Sequence, residues 1–261
     1  MSGRIRAVDL GLLETDAALA HDEALGRNPA RPPTLLLWRT APAVVIGRFQ
    51  RADWEVDAAA CAERAVGVWR RFTGGGAVYL DPGTLCVAIA APPAHEWSQL
   101  GVPEMYSPLL DGIVRACRLR GVPARRDERT VRVGDRKVTG IAAHRGRGGM
   151  LVHGTLLIEA ELGALRACLA GPRHGDLGGA PNPAPSRPDH VVNVGGAGWE
   201  RAMVEAFDGE PGRLSDAECA EARRLRDEKY HDPAWHAGSW SNLTPPAVRA
   251  LLALRPAEPP R

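Results

Sequence analysis

Two adjacent arginines, Arg70 and Arg71, lie just before a run of three glycines, Gly74 to Gly76. Glycine adopts backbone conformations that other residues avoid, and it leaves its amide open to close approach by a ligand. Successive amide N–H groups in such a turn can surround an anion, and a neighbouring guanidinium can make bidentate contacts with a phosphate or a carboxylate. An ordinary glycine-rich hairpin would explain the glycines alone. The paired arginines favour an anion-binding loop, although its spacing is not that of a Walker P-loop.

Lysine is rare in this chain: of its 33 lysine and arginine residues, all but Lys137 and Lys229 are arginine. An ammonium group is a compact charge on a flexible stem, whereas a guanidinium is a broad planar fork. We therefore expect the lysines to occupy places that the fork does not fit. Strand alternation predicts that Lys137, Thr139 and Ile141 share a face, and a lysine that pointed inward would need an anionic partner. An exposed strand lysine is the alternative interpretation.

His153 lies in a predicted strand in which Thr155 faces the same side and Gly154 leaves room for a ligand or a chain to pass close by. A hydrogen-bonded structural histidine is the alternative interpretation. The five cysteines include no CxxC pair, so the sequence contains no zinc or redox motif of that kind. Cys117 and Cys168 fall on the apolar faces of predicted helices, which predicts buried thiols rather than a nucleophile.

The apolar pattern predicts the elements that must position these residues. Helical periodicity covers residues 14–27, 57–65, 107–120, 159–170, 199–207 and 215–230. Strand patterns cover residues 34–39, 43–47, 66–71, 77–80, 84–90, 130–133, 136–143 and 150–158. Turn residues predict that strands 77–80 and 84–90 form one hairpin and that strands 130–133 and 136–143 form another. Strands and helices do not alternate regularly, so the pattern predicts an α+β fold with a mixed, largely antiparallel sheet.

Composition excludes several classes of protein. The chain has 261 residues, of which 44% are apolar, and a formal net charge of +2. These values exclude intrinsic disorder, and a chain of this length can bury a substantial core. The small charge argues against nucleic-acid binding as the main role. The longest apolar stretch is far shorter than the ~18 residues of a membrane span, and no apolar signal segment begins the chain, so we expect a cytoplasmic protein.

The segment of residues 171–198 is rich in glycine and proline and has one short predicted strand at residues 191–194. Long loops of this kind are uncommon and often act as lids. The last stretch, residues 243–261, has a short helical pattern and a proline-rich end that we expect to fray.

Taken together and in this order, the motifs resemble those of the lipoate–protein ligases in the biotin/lipoate A/B protein ligase family. The resemblance covers roughly residues 12–240 and is carried by LLLWR (35–39), IGRFQ (46–50), RRFTGGGAVYLD (70–81), DRKVTGIA (135–142), HGTLLIE (153–159) and Lys229-Tyr230 with Trp235. Each motif alone is weak, but their order and spacing are highly specific. The resemblance implies a mixed sheet flanked by helices, as in the catalytic domains of class II aminoacyl-tRNA synthetases and biotin ligases.

The resemblance also implies a two-step reaction. Lipoate or octanoate reacts with MgATP to give an acyl-adenylate and pyrophosphate, and a lysine on a lipoyl carrier protein or lipoyl domain then takes the acyl group and releases AMP. ATP and Mg²⁺ act as a substrate complex, with no tightly bound cofactor. The family positions that bind the nucleotide correspond here to Arg71, Gly76, Ala77, Val78, Tyr79 and Lys137. Those that line the lipoate site correspond to Arg70, Gly75, Lys137 and His153.

The resemblance assigns catalysis to Lys137, which contacts both the acyl carboxylate and the α-phosphate in the family pattern. Two anions repel each other, and a lysine between them offsets that repulsion and stabilises the charge that develops in the transition state. We expect the strands that contain Val45, Val78 and Leu156 to line an apolar slot for the dithiolane and its alkyl chain. We expect the loop of residues 171–198 to close over the adenylate and exclude water.

Some positions depart from the family pattern. Asp127 only approximates an Asn-Asp pair of the family, so the resemblance leaves its nucleotide or magnesium role open, together with the identity of any metal ligand. The resemblance implies a catalytic domain over residues 1–242, followed by a short tail, without the C-terminal accessory domain that many ligases carry. We therefore expect one of three arrangements: a separate accessory subunit, a catalytic domain that suffices alone, or transfer from preformed lipoyl-adenylate only.

Two other functions stay open. An octanoyl or lipoyl transferase of the same fold would form a thioester on a cysteine near Lys137, but the Pro-Cys-Gly sequence expected after the His-Gly motif is absent. A non-catalytic acyl- or nucleotide-binding subunit would be expected to have lost Arg71 or Lys137, and both residues are present.

Overall fold

A computed structural model describes residues 4–102, 104–169, 186 and 189–238. The strands are β1 (Ile5–Leu13), β2 (Thr34–Thr40), β3 (Ala43–Ile46), β4 (Gly67–Arg70), β5 (Val78–Leu80), β6 (Thr84–Ala91), β7 (Ala124–Asp127), β8 (Thr130–Val133), β9 (Arg136–Lys137), β10 (Ile141–Gly146), β11 (Gly149–Leu157) and β12 (Gly209–Pro211). The α-helices are α1 (Thr15–Arg27), α2 (Ala52–Glu55), α3 (Ala58–Glu63), α4 (Glu96–Gln99), α5 (Ser107–Leu119), α6 (Leu162–Cys168), α7 (Trp199–Ala206), α8 (Asp216–Leu225) and α9 (Pro233–Ala237). A 3₁₀ turn covers Glu104–Tyr106, and a π-helical turn, Arg226–Tyr230, continues α8.

Within the described ranges, the strands form three sheets. The largest has the order β10-β11-β6-β2-β1-β12 and is antiparallel as far as β2 and parallel from β2 to β12. Smaller sheets have the orders β4-β3-β5 and β7-β8-β9. Antiparallel pairs predominate, and helices lie against both faces of the large sheet. The predicted α+β fold with a mixed, largely antiparallel sheet is therefore confirmed.

The central strand β6 shows how this sheet is buried on both faces. Its larger side chains, Leu85, Val87 and Ile89, join the core beneath α5 and α7. Its smaller ones, including Cys86 and Ala88, face α1 and α8. The sequence of a strand that is covered on both faces is a nearly continuous run of apolar residues, and the sequence of β6 is of this kind. The small residues leave space on the α1 face, and the cavity described below lies there.

Helix boundaries follow from local signals that the sequence contains. Helix α5 begins with a proline in its first turn, buries an apolar stripe and ends before Gly121, whose φ is +71°. Helix α8 begins with a capping box in which Ser215 and Glu218 satisfy each other's backbone amides. The predicted helix at residues 159–170 is shorter in the structure, because Glu161 caps it and its first residue is Leu162.

The predicted hairpin of residues 77–80 and 84–90 is wrong. Strand β5 pairs with β3 in a small sheet, whereas β6 pairs with β2 and β11 in the large one. The turn between them packs against the chain at Glu159, whose amide donates to the Gly83 carbonyl at 2.9 Å. A Cβ on Gly83 would lie 2.2 Å from the Glu159 carbonyl oxygen, so glycine permits this contact. The turn therefore carries the chain from one sheet to another.

The predicted strand at residues 136–143 is also wrong in its middle. Strand β9 ends at Lys137, Val138 enters the core, and β10 begins at Ile141 in the large sheet. Between them the chain crosses β11, where a Cβ on Gly154 would lie 2.6 Å from the Gly140 carbonyl oxygen. The prediction that Gly154 lets a chain pass close by is confirmed. Lys137 and Thr139 do not share a strand face, because no strand joins them.

Part of the predicted lid falls outside the described residues, as does the predicted C-terminal tail. In the described part of this segment, the predicted strand of residues 191–194 is reduced to a single parallel bridge between Val191 and Lys137. The amide of Lys137 donates to the His190 carbonyl at 2.7 Å, and the amide of Val192 donates to the Lys137 carbonyl at 3.1 Å. No helix among the described residues has the length and apolar character required to span a membrane.

Candidate active site

A cavity of about 280 Å³ lies on the α1 face of the large sheet, where the three sheets meet. Its lining residues are Leu19, Trp38, Val45, Arg71, Gly76, Ala77, Val78, Leu80, Cys86, Lys137, Gly140, Ile141, Ala142, His153, Gly154, Thr155 and Ser186. The cavity therefore brings together Arg71, Gly76, Ala77, Val78, Lys137 and His153 from the predicted site.

Arg71 organises the glycine loop, which comprises residues 73–77. Its guanidinium donates to the carbonyl oxygens of Gly74 (2.6 Å) and Gly76 (2.7 Å) and to the side-chain oxygen of Thr73 (3.0 Å). Gly75 between them has a φ of +85°, a conformation that favours glycine. Burial lowers the pKa of Arg71 to about 10, so the group stays charged at neutral pH. The arginine holds the loop carbonyls inward and gives this end of the cavity a positive charge.

Ser186 closes the glycine loop from the far side. Its hydroxyl accepts a hydrogen bond from the amide of Ala77 at 2.8 Å and lies 3.2 Å from the side-chain nitrogen of Gln50. Its own amide donates to the carboxylate of Glu55 at 3.0 Å. One described residue of the predicted lid segment therefore contacts the loop that the resemblance assigns to the nucleotide.

Lys137 supplies a second positive charge to the cavity lining. Burial lowers the pKa of Lys137, an effect that the charge of Asp189 opposes. Asp189 itself is paired with Arg132 at 2.9 Å, and Lys137 forms no ion pair with any residue in the described ranges. The charge of this lysine is therefore available to an anion in the cavity.

The remaining lining is mostly apolar. Leu19, Trp38, Val45, Leu80 and Cys86 are each at most 4% exposed, and all belong to the core cluster on the α1 face. The expectation that the strands of Val45 and Val78 line an apolar slot agrees with this lining.

Leu156 does not contribute to that slot. Its side chain is fully buried in the core on the opposite face of the sheet. Successive residues of a strand point to opposite faces, and His153 and Thr155 take the cavity side.

His153 is hydrogen-bonded through both ring nitrogens. Nδ1 lies 2.6 Å from the buried carboxylate of Asp22, and Nε2 lies 2.7 Å from the hydroxyl of Thr73. The other oxygen of Asp22 accepts from the indole nitrogen of Trp38 at 3.2 Å. These contacts connect helix α1 and strand β2 to the glycine loop, so the histidine both lines the cavity and fixes the loop beside it.

Arg70, Gly75 and Tyr79 do not line the cavity. The guanidinium of Arg70 is buried and donates to carbonyl oxygens of residues 47, 48, 50, 236 and 237. Tyr79 lies in the core of the small sheet β4-β3-β5, where burial raises the pKa of its hydroxyl. Gly75 adjoins the guanidinium of Arg71.

Sequence reasoning missed four residues of this arrangement: Asp22, Trp38, Thr73 and Ser186. Asp22 gave one usable signal, because it is a carboxylate on a helix face that otherwise carries Leu19 and Leu25. The other residues are ordinary polar or aromatic residues in their own segments, and only contacts with distant parts of the chain give them a role.

The cysteines are mostly buried. Cys61, Cys86, Cys117 and Cys168 are at most 4% exposed, and only Cys86 lines the cavity among the described residues. Burial raises the pKa of Cys86 well above its ordinary value. A thiolate is the nucleophilic form of cysteine, so this environment opposes the covalent chemistry that a thioester mechanism requires.

The described ranges contain no group of three or more histidine, cysteine, aspartate or glutamate residues arranged to hold a metal ion. The carboxylate of Asp127 accepts from Arg132 at 2.7 Å. This contact gives no support to a role of Asp127 with a nucleotide or magnesium, which the resemblance leaves open.

His236 gives the protein a testable pH dependence. Burial is the main cause that lowers the pKa of His236, from 6.5 to about 4, so folding favours the neutral ring. The unfolded chain therefore binds more protons between these pH values, and stability falls as the pH decreases through this window. We expect His236 to account for a loss of about 3 kcal/mol between pH 7 and pH 4.

The measurement is the free energy of unfolding against pH for the wild type and for His236→Gln. Carboxylates add their own pH dependence to both proteins, so the difference between the two curves isolates His236. Parallel curves between pH 7 and pH 4 would contradict the assignment.

Comparison with known proteins agrees with the motifs. The profile of the family described as "Lipoyl protein ligase A/B catalytic domain" matches residues 14–203. A curated relative, lipoate-protein ligase A subunit 1 of Thermoplasma acidophilum, is 28% identical over 256 residues, covering 87% of this chain and 95% of the relative.

Solved structures give the same result. A lipoate protein ligase from T. acidophilum with bound lipoic acid is 26% identical, with a TM-score of 0.74 and coverage of 91% of this chain and 100% of that one. A structure of the bi-partite ligase of that organism, described together with its E2 lipoyl domain, is 27% identical, with a TM-score of 0.73 and coverage of 91% and 97%. A lipoate-protein ligase A bound with ATP is 26% identical, with a TM-score of 0.75 and coverage of 91% and 99%. The chain belongs to the lipoyl protein ligase A/B catalytic domain family, which confirms the family, the fold and the class of enzyme that its motifs predict.

Proposed function

We propose that this chain activates lipoate, or octanoate, with MgATP to an acyl-adenylate and transfers the acyl group to a lysine of a lipoyl carrier domain. The observation that carries the proposal is the cavity itself. Its apolar part, lined by Leu19, Trp38 and Cys86, meets a polar part that holds the charges of Arg71 and Lys137. A substrate with an apolar tail and an anionic head matches this division.

The first step joins two anions. A carboxylate oxygen of the acid attacks the α-phosphorus of ATP, the bond to the bridging oxygen breaks, and pyrophosphate leaves. Lys137 reduces the repulsion between carboxylate and phosphate and stabilises the charge that develops during the attack. The cavity walls hold the reacting groups close together. Mg²⁺ enters with ATP as part of the substrate.

In the second step the nucleophile belongs to the partner. The ε-amine of a carrier lysine attacks the acyl carbon, AMP leaves, and an amide forms, so the enzyme needs no nucleophile of its own. The family name and the relatives described as lipoate-protein ligases support this step. The T. acidophilum relative that is described as bi-partite supports the further proposal that a separate accessory subunit assists this chain.

The experiment combines the chain with lipoate, MgATP and a purified lipoyl domain, and intact-mass spectrometry follows the lipoyl domain. We expect a mass increase of one lipoyl group, dependent on ATP. A lipoyl domain with its acceptor lysine replaced by arginine is the control and stays unmodified. A folded enzyme that modifies neither domain, with or without an accessory subunit, would contradict the proposal.

The thioester alternative makes a separate prediction about Cys86. We expect Cys86→Ala to retain ligation to within about threefold, because the thiol lines the apolar wall and takes no part in bond formation. Cys117→Ala, a buried cysteine on the opposite face, is the matched control for any loss of stability. A folded Cys86→Ala enzyme without ligase activity would support the thioester mechanism instead.

A further inference from the structure

The segment of residues 226–238, which we name the C-terminal clamp, contains a motif that the proposed reaction does not use. Lys229-Tyr230 and Trp235 belong to the pattern that carries the resemblance, yet none of them lines the cavity. The clamp comprises the π-helical turn after α8 and the short helix α9.

Helix α1 anchors the first half of the clamp. The fully buried carboxylate of Glu23 accepts from the Lys229 ammonium at 2.7 and 2.8 Å and from the Tyr230 hydroxyl at 2.6 Å. The ammonium of Lys229 lies 3.6 Å from the ring centre of Trp235. Buried charges need partners of this quality, and here the partners fix the position of the tryptophan.

The second half of the clamp holds strand β4 at Arg70. The indole nitrogen of Trp235 donates to the Arg70 carbonyl at 2.8 Å, and the Arg70 amide donates to Nδ1 of His236 at 2.9 Å. Nε2 of His236 lies 2.9 Å from the Tyr230 carbonyl and donates to it. Two side chains of the clamp thus satisfy both backbone groups of one residue.

Arg70 extends this contact to the loop of residues 47–50. Its guanidinium donates to the carbonyls of Gly47 (3.0 Å), Arg48 (3.0 Å) and Gln50 (2.7 Å). The same guanidinium donates to the carbonyls of His236 and Ala237 in the clamp. One buried cation therefore joins the clamp to a second loop.

The loop of residues 47–50 lies directly against the glycine loop. The Arg48 amide donates to the Thr73 carbonyl at 2.8 Å, and a Cβ on Gly47 would lie 2.1 Å from the Gly75 carbonyl oxygen. The side chain of Gln50 reaches Ser186, which accepts from the Ala77 amide. The contacts thus continue from the clamp to the residues that line the cavity.

We propose that the C-terminal clamp positions the glycine loop for acyl-adenylate formation, with Trp235 and His236 as positioning residues that act through Arg70. This inference rests on the proposed function, since it assigns the effect to the first half-reaction. The apolar wall of the cavity is built from other elements. Loss of the clamp contacts therefore lowers kcat and leaves the KM for lipoate nearly unchanged.

The test compares three variants in lipoate-dependent exchange of pyrophosphate into ATP. We expect Trp235→Phe and His236→Ala each to lower kcat about tenfold, the effect of one lost hydrogen bond of ordinary net strength, with the KM for lipoate within twofold of the wild type. His236→Asn restores most of kcat, because its side-chain oxygen can accept from the Arg70 amide. Trp97→Phe, on the opposite face of the sheet, is the control.

A second readout separates this inference from the proposed function. Amide hydrogen exchange of residues 73–77 is expected to rise in Trp235→Phe and His236→Ala, while that of helix α5 stays as in the wild type. Folded variants whose amide hydrogen exchange at residues 73–77 is unchanged would overturn the inference. So would an unchanged kcat, or a change confined to the KM for lipoate. If the wild type is inactive but the two variants show the expected rise in hydrogen exchange, the positioning role of the clamp stands and only the proposed function is contradicted.

Discussion

Replacement of Lys137 by methionine is expected to lower the rate of acyl-adenylate formation about a hundred- to a thousandfold, the usual effect of removing one group that stabilises developing charge. In the described ranges the ammonium forms no ion pair, so the fold does not depend on it. Removal of a desolvated charge should leave the free energy of unfolding unchanged or slightly higher. The measurement is lipoate-dependent pyrophosphate exchange, with thermal unfolding of the same preparation.

Arg136→Met is the matched control for this variant. It removes one positive charge from the same short strand, but Arg136 is exposed and does not line the cavity. We expect its exchange rate to stay within about twofold of the wild type. A folded Lys137→Met protein that exchanges pyrophosphate at the wild-type rate would remove this lysine from the chemistry.

Gly47→Ala is expected to produce the second large effect. The added Cβ would lie 2.1 Å from the Gly75 carbonyl oxygen, and the neighbouring backbone of Gly74 is also close. Both contacts are backbone atoms of the glycine loop, so the loop must move. We expect the free energy of unfolding to fall by about 3 kcal/mol, the upper end of the usual cost of overpacking, and the exchange rate to fall at least tenfold.

Gly74→Ala is the control for this variant. It tests whether the loss of stability comes from the steric contact of the added Cβ, rather than from any substitution of a glycine in this region. Its Cβ would lie 3.8 Å from the ring of Phe49, an ordinary contact. We expect its free energy of unfolding to stay within about 0.5 kcal/mol of the wild type. Equal stability of the two variants would show that loops 47–50 and 73–77 are not packed as described.

Local signals in the sequence predict the elements better than the sheets. The apolar stripe of α5 and the run of β11 depend on neighbouring residues, and both match their predicted ranges closely. Sheet membership depends on contacts between distant residues. The turn after β5 resembles a hairpin, but Gly83 packs on Glu159, and the chain changes sheets there. No local pattern contains that information.

The same distinction applies to the site. Arg71, Lys137 and His153 are visible because each belongs to a motif of distinctive residues. Asp22 is 131 positions from His153, to which it is hydrogen-bonded, and Ser186 is 109 positions from Ala77, whose amide donates to its hydroxyl. Such residues gain their role only after folding brings them to their partners.

The two adjacent arginines show that a motif can identify residues of a site without giving the position of each side chain. The resemblance assigns both to the site, Arg71 to the nucleotide and Arg70 to lipoate. Consecutive residues of an extended chain point to opposite sides, so only one of the two can face the cavity. In the structure Arg71 lines it, and Arg70 joins the C-terminal clamp to the loop of residues 47–50.

The most direct test of the account is exchange of labelled pyrophosphate into ATP by this chain, measured alone and with an accessory subunit, in the absence of a carrier domain. The account predicts exchange that requires lipoate and is lost in Lys137→Met. A folded chain that shows no lipoate-dependent exchange, either alone or with an accessory subunit, would contradict the claim that its own cavity activates the acid.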